Sequence, residues 1–261
     1  MERLTAEEGF DLKFRDCLHA PERKRRFMER HFGVAASRYD FATRAMSLCR
    51  DPAWKRLLAR ALPEIASPSC VDLACGTGDL SFLLARRFPA GRVVGLDIAE
   101  PMLRIARRRS RSGNVSFLRR DMCATGIPGG SVDIVTGSYA LRNAPDLGGA
   151  VAEIRRILKP GGAAAFLDFS RPGDPRFFPF RELLLRTWCG FWGLLLHGNR
   201  EIHGYIADSL SAFPDREELL ALFRRHGFSR VSSRRFFLGV VELQVFRLDP
   251  AVAAGAPAAL P

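Results

Sequence analysis

Three observations predict an α/β fold built on a mostly parallel, seven-stranded sheet. From Cys70 onward, short β-branched runs alternate with amphipathic stretches of roughly 10–15 residues, the pattern of βαβ units. The first run, "CVDLA", breaks into Gly76, Thr77 and Gly78 where a helical pattern begins. Two further runs near the C-terminus flank Gly239 and read as an antiparallel hairpin. Helices are expected on both faces of such a sheet.

The elements follow in order. Residues 1–65 read as a helical segment: "PERKRRFMERHF" opens with Pro21, suited to a helix start, and "AWKRLLARALPE" follows Asp51 and Pro52, a cap and first turn. Strand "CVDLA" leads to helix "LSFLLARRF", and "RVVGLDI" leads to "EPMLRIARRR", with Pro101 near its start. "NVSFLRRD" and "VDIVTGSYAL" come next, then the helix "GGAVAEIRRILKPGG", whose Pro160, Gly161 and Gly162 read as a stop before "AAAFLDFS". After Asp168 the rhythm fails, and the aromatic stretch to Phe213 is too interrupted for one regular element. "DREELLALFRRHGF" restores a helix that stops at Gly227; "SRVSSRRFFL" and "VVELQVFRL" then pair. One domain is expected over residues 1–248, with an insertion at 171–213 and a disordered tail at 249–261.

With 261 residues, 47% of them hydrophobic, the chain can bury a full core. Its net charge of +12 suits phosphates or an anionic membrane face, although arginine-rich codon usage gives the same excess with no binding role. Cys17, Cys49, Cys70, Cys75, Cys123 and Cys189 form no CxxC pair, and several sit in apolar runs as small hydrophobes, so no metal site is expected. The N-terminus is charged from its second residue, unlike a signal peptide, and no apolar run reaches the ~18 residues of a membrane span. A cytoplasmic protein is expected.

In a doubly wound sheet the ligand crevice lies at the carboxyl ends of the strands, where the first strand-to-helix turn sits. Gly76 and Gly78 let backbone approach a ligand there, and Asp97, at the end of the second strand, is placed to accept both hydroxyls of a ribose. A dinucleotide fingerprint needs a third glycine where this chain has Ser81, and Asp79 adds a charge that repels pyrophosphate. A zwitterionic amino acid bearing a sulfonium tolerates that charge, and Asp72 inside the first strand points the same way. S-adenosylmethionine therefore fits better than NAD; a tight turn with no ligand is the plain alternative. Asp121 and Met122 follow the third strand, where a carboxylate can hold the adenine amino group.

With these residues in place, the sequence resembles the ubiquinone/menaquinone biosynthesis C-methyltransferases, of the Rossmann-like class I S-adenosylmethionine-dependent fold, over roughly Phe27 to Val245. "VDLACGTGDL" is similar to the family's cofactor loop and "GLDIAEPML" to its ribose-binding stretch, while "SYALRNAPD", "DFSRP" and "YIADSLSAFP", in this order, are the more diagnostic segments. "VAASRYDFATRAMSLCRDPAWKR" resembles the family's Tyr-Asp segment. The resemblance implies cofactor contacts at Thr77, Asp97, Asp121, Met122 and Ser138, and a prenylated quinol methylated at a ring carbon, menaquinone ahead of ubiquinone.

Such a ring carbon attacks only when an adjacent hydroxyl, ordinarily titrating at about 10, is ionised or nearly so. Arg142 is the first candidate for that electrostatic work and Asn143 for orienting the second oxygen; His203, Tyr205, Asp168 or a water held by Arg142 are candidates for the base. Each has a plain alternative as a surface arginine, a turn residue, a packed histidine, lid packing or a turn cap. The 171–213 insertion reads either as a lid with a channel for an isoprenoid tail, through Phe177, Phe178, Phe180, Trp188, Phe191, Trp192 and Leu194–Leu196, or as ordinary helical packing. Arg176, Arg181 and Arg186 are placed to meet lipid phosphates, giving peripheral contact at the inner face of a membrane. No nucleic-acid partner is expected, and a homo-oligomer is compatible with the sequence. Three rivals stay open: a methyltransferase for another small aromatic, a nucleic-acid methyltransferase, and a non-catalytic membrane-binding protein.

Overall fold

A computed structural model describes Cys17, residues 20–171 and residues 178–253. Three helices lead, α1 (Pro21–Ala35), α2 (Tyr39–Met46) and α3 (Asp51–Ala61). Strands and helices then alternate: β1 (Ser69–Leu73), α4 (Asp79–Arg87), β2 (Arg92–Asp97), α5 (Glu100–Arg109), β3 (Val115–Arg119), β4 (Val132–Ser138), α6 (Leu147–Ile157) and β5 (Leu158–Phe169). A helical pair, α7 (Phe178–His197) and α8 (Glu201–Ser211), precedes α9 (Arg216–Arg225), β6 (Phe228–Phe236), β7 (Val241–Leu248) and a last turn, α10 (Pro250–Ala253).

The seven strands lie in the order β3-β2-β1-β4-β5-β7-β6, with β7 antiparallel to both of its neighbours. Strand order reverses between β1 and β4, which pair in parallel from Cys70↔Ile134 to Leu73↔Gly137. Strand alternation sends Val71, Leu73, Val135 and Phe166 to one face, against Ile154 of α6 and Phe223 of α9. Cys70, Val93, Ile134 and Leu167 go to the other, against Leu58 of α3 and Leu84 of α4. The sheet is therefore covered on both sides, and its ligand crevice can open only at the strand ends.

Three expectations need correction. The "LKPGG" stop is part of the sheet: α6 ends at Ile157 and β5 starts at Leu158. Pairing jumps from Val132↔Leu158 to Ile134↔Ala163, so residues 159–162 bulge opposite Asp133, with Gly161 at φ 76°. The Lys159 ammonium donates to both Asp133 carboxylate oxygens at 2.8 Å and pins the bulge.

The insertion is also regular, a helical hairpin. Gly190 and Gly193, within the stretch expected to be too interrupted for one element, lie where α7 meets the start of α8; a Cβ at Gly193 would stand 2.7 Å from the Asn199 carbonyl oxygen. Close approach of two backbones, and not a bend, is what those glycines serve. The tail, finally, begins as α10, with the Asp249 carboxylate accepting from the Ala251 N–H at 2.9 Å. The remainder of the expected tail, residues 254–261, lies outside the described residues, as do residues 1–16, Arg176 and Phe177 and the side chains of Phe178, Phe180 and Arg181. No helix among the described residues is long and apolar enough to cross a membrane.

The Phe223 and Phe246 rings, both fully buried, stack 4.0 Å apart with planes 7° from parallel where α9 closes over β7. Phe246→Ala should cost about 3–5 kcal/mol, read as a lower urea midpoint with an unchanged slope. A shift below about 1 kcal/mol would show that this layer contributes little.

Candidate active site

The turn after β1 is built on left-handed backbone. Ala74, Gly76 and Gly78 have φ of 47°, 55° and 91°. At Gly78 a side chain is excluded twice, by φ and by the Phe82 ring 2.9 Å from where its Cβ would stand. The Gly76 N–H donates to Asp97 Oδ2 and the Ala99 N–H to Asp97 Oδ1, both at 2.8 Å. The Ile98 N–H acts on the same carboxylate, which still has acceptor capacity for a further donor. Burial raises the Asp97 pKa against the Gly76, Ile98 and Ala99 N–H groups that favour its charge.

Gly76, Asp97, Asp121, Met122 and Ser138 line one cavity at the strand ends, together with Met28, Phe32, Tyr39, Tyr139 and Asn143. Glycine backbone, two carboxylates and a thioether suit a nucleoside bearing hydroxyl and amino donors, so the donor set fits S-adenosylmethionine. Three expected contacts stand elsewhere. Asp72 is buried in β1, accepting from Ser81 Oγ at 2.6 Å and Thr136 Oγ1 at 2.9 Å, and burial raises its pKa to about 6. Its carboxylate joins α4 to β4 from beneath. The Thr77 hydroxyl donates to Asp40 Oδ1 at 2.5 Å, and Gly78 is occupied by its packing against Phe82 and Phe117.

Asp40 belongs to a chain of charges that sequence reading missed. Arg109 donates to Asp40 at 2.9 Å, to the Thr77 carbonyl at 3.0 Å and to Asp79 at 2.6 Å. Lys55 joins Asp79 at 3.6 Å and buried Asp51 at 2.8 Å, and Asp51 accepts from the Tyr139 hydroxyl at 3.0 Å. Burial raises Asp79, yet Lys55 and Arg109 outweigh it and hold the carboxyl below its usual range. The chain ties α2, α3 and α5 to the glycine turn. Arg109 was hidden in the arginine run that ends α5, and Asp40 within a segment known only by its resemblance.

A second, larger cavity of about 820 Å³ opens beside the first, walled by α1, α2, α7, α8 and the ends of β4 and β5. Arg142, Asn143, His203 and Tyr205 line it; Asp168 does not. Arg142 is buried, donates to the Ser209 hydroxyl, and lies 5.0 Å from the Phe169 ring centroid and 5.4 Å from that of Tyr205. Asp168 stands behind it, 3.7 Å from Arg142 Nε and accepting from the Arg142 and Phe169 N–H groups. Burial raises the Asp168 pKa, against the Arg142 charge. It therefore stands behind the guanidinium, outside the lining of this cavity. Burial lowers His203 to about 4 and raises the Tyr205 phenol. His203 Nε2 and Asn143 Oδ1 are buried with no hydrogen-bond partner among the described residues. Phe32, Tyr39, Tyr139 and Asn143 line both cavities and form their common wall.

A family profile described as the ubiE/COQ5 methyltransferase family matches residues 21–245. The chain belongs to that family. Among curated relatives of this methyltransferase, a demethylmenaquinone methyltransferase of Thermus thermophilus is 38% identical over 200 residues, covering 76% of this chain and 91% of the relative. A 2-phytyl-1,4-naphtoquinone methyltransferase of Thermosynechococcus vestitus is 35% identical, covering 82% and 96%. The fold is shared with geranyl diphosphate C-methyltransferase of Streptomyces coelicolor, solved with S-adenosyl-L-homocysteine, at a TM-score of 0.58, 16% identity and coverage of 76% and 79%. The ubiE/COQ5 chain is thus an S-adenosylmethionine-dependent methyltransferase with the expected Rossmann-like sheet.

Asp97→Ala should abolish cofactor binding by titration calorimetry, since two charge-assisted bonds of roughly 1.5–3 kcal/mol each are lost; wild-type affinity would refute the placement of the nucleoside. His31, buried in the large cavity, is lowered to about 3 by burial and then by His203 and Arg142. An unfolded histidine titrates at about 6.5, so between these values the unfolded chain binds the extra proton. Its stabilising share is complete above about pH 6.5 and is lost as pH falls toward 3. The stability difference between wild type and His31→Phe should therefore shrink in acid, by up to roughly 1.4 kcal/mol per pH unit in denaturant titrations between pH 6.5 and 4.5. A constant difference would show that His31 is not held neutral.

Proposed function

We propose that the chain methylates a ring carbon of a prenylated quinol, of the naphthoquinol type used for menaquinone, with the benzoquinol of ubiquinone as the second choice. The observation that carries this reading is the common wall: a large apolar cavity with a few convergent polar groups adjoins the nucleoside cavity through Phe32, Tyr39, Tyr139 and Asn143. A flat ring can lie against that wall while an isoprenoid tail fills the space toward Leu184 and Trp188. The relatives named for naphthoquinone substrates favour the bicyclic ring. Such a tail keeps the substrate in a bilayer, so the enzyme works at a membrane surface.

The cofactor supplies a methyl group on a positively charged sulfur; Gly76, Asp97, Asp121, Met122 and Ser138 would hold it. Arg142 favours the ionised quinol oxygen. Its guanidinium is already desolvated and is oriented by Ser209 and Asp168, so little reorganisation accompanies the charge that develops. Tyr205, kept protonated by burial, donates to the same oxygen, and Asn143 Oδ1 accepts from the second hydroxyl. His203 is neutral and offers the accepting nitrogen. Passing a proton from a phenol at about 10 to an imidazole at about 4 is uphill by roughly 8 kcal/mol. Most of the activation must therefore come from Arg142 lowering the quinol's own pKa, with His203 the acceptor once that has happened. As the methyl leaves sulfur for the ring carbon, that carbon's hydrogen is then lost as a proton to solvent and its electron pair restores the aromatic ring.

Methyl transfer from labelled S-adenosylmethionine to demethylmenaquinol, to a demethylated benzoquinol and to soluble phenols tests the reading. Turnover of soluble phenols with none of either prenylated quinol would overturn it. Arg142→Ala should keep cofactor affinity within about twofold and lower kcat at least 100-fold, the scale of losing one charge stabiliser. Full turnover in that variant would remove Arg142 from its assigned role.

A further inference from the structure

The mouth of the large cavity is built from residues that a folded chain ordinarily hides. Leu48, Leu184, Trp188, Phe237 and Leu238 line the cavity and are also exposed to solvent. From Leu184 and Trp188 the exposed stripe continues along α7 through Phe191 and Leu195, at spacings of four, three and four residues that keep all of them on one face. The Trp188 indole N–H donates to the Met46 carbonyl at 3.1 Å and fixes this stripe beside the end of α2.

Two rim turns are held in backbone that bulky residues rarely adopt. Leu48 and Cys49 follow α2 with φ of 50° and 60°; Phe237 and Leu238 join β6 to β7 with φ of 48° and 52°. Such conformations cost about 1–3 kcal/mol each. Phe237 packs its ring against Trp54 at 4.9 Å, but Leu48 and Leu238 recover nothing by burial, being 61% and 101% exposed. Strain spent on presenting an apolar side chain to water makes sense when the side chain is buried against something else.

The surrounding charge says what that is. Exposed Arg44 and Arg50 bracket Leu48 in the chain, and exposed Arg235 precedes the Phe237–Leu238 turn. Arg50 and Arg235 have no ion-pair partner among the described residues, whereas the Arg44 charge acts on Asp79. Apolar anchors flanked by unpaired guanidinium groups suit an anionic lipid surface. In a two-fold contact between copies of this chain the same arginines would be brought together and repel.

We infer that this rim, the α7 stripe with the Leu48 and Leu238 turns, docks on an anionic phospholipid bilayer, so that the cavity opens directly into the acyl region. The purpose of the contact rests on the prenylated-quinol reading; the contact itself needs no quinol. Flotation of the full chain with phosphatidylcholine vesicles, with and without phosphatidylglycerol, tests it in the absence of substrate. The wild type should float with the anionic vesicles and less so at high salt. Phe191→Ser/Leu195→Ser should lower the partition coefficient roughly tenfold or more, and Leu238→Ser on the opposite rim should lower it as well. Phe191→Leu/Leu195→Ile, which keeps the apolar surface, should float like the wild type and separates docking from a folding defect. A wild type that stays in solution, or serine variants that float unchanged, would overturn the inference. So would a dimer that the serine variants dissociate while flotation stays the same, because the rim would then be a self-interface. Methylation of a tail-less, water-soluble quinol probes the substrate reading separately, and its failure leaves the flotation result standing.

Discussion

The bond from the Gly76 N–H to Asp97 fixes where β1 and β2 end relative to one another, and much of the active site is measured from that point. Backbone leaving β1 has to turn through left-handed conformations before α4 can begin, and such a turn would be free to wander without a partner. Asp97 supplies one from the adjacent strand and takes its second N–H from Ala99, so that a single carboxylate anchors two strand-to-helix connections. Burial of that carboxylate is unfavourable in isolation and becomes tolerable because both oxygens accept from backbone. The same arrangement leaves it pre-aligned for hydroxyl donors.

Charge inside the larger cavity follows a related logic. Arg142 is buried beneath aromatic rings, and among the described residues the carboxylate that faces it, Asp168, stands back at 3.7 Å. A closer pair would neutralise the guanidinium and lower its value to a substrate anion. The distance keeps the arginine oriented while leaving its field directed at the cavity. His203 and His31 are both kept neutral chiefly by burial, with His197 acting on His203 and with His203 and Arg142 acting on His31, so Arg142 stands beside neutral imidazoles.

Much of this could be read in the chain itself. Alternating strands and helices, the glycine turn and Asp97 announced the sheet and its crevice, because those features are local and depend on backbone chemistry. Arg142, Asn143 and Tyr205 were legible through motif and His203 as one candidate base, and all four line one cavity. What escaped was set by long-range contact. Asp72 read as a cofactor contact from its charge within the first strand and Thr77 through the resemblance, yet Ser81, Thr136 and Asp40 take up their side-chain polar atoms. The stretch around Gly190 and Gly193 looked too interrupted for a regular element because a sequence does not reveal that another backbone passes close by. The Asp40–Arg109–Asp79–Lys55 chain joins residues from four helices, and no spacing rule connects them.

The bulge opposite Asp133 has a consequence for how the chain can change over evolutionary time. Side chains on a strand alternate between faces, so a residue gained or lost within regular pairing would rotate every later position and carry Asp168 away from Arg142. Residues 159–162 are already out of register, clamped by Lys159 at their start. A length change there is taken up by the loop, and the helix before it can be lengthened or trimmed without disturbing the phase of the strand that carries Asp168.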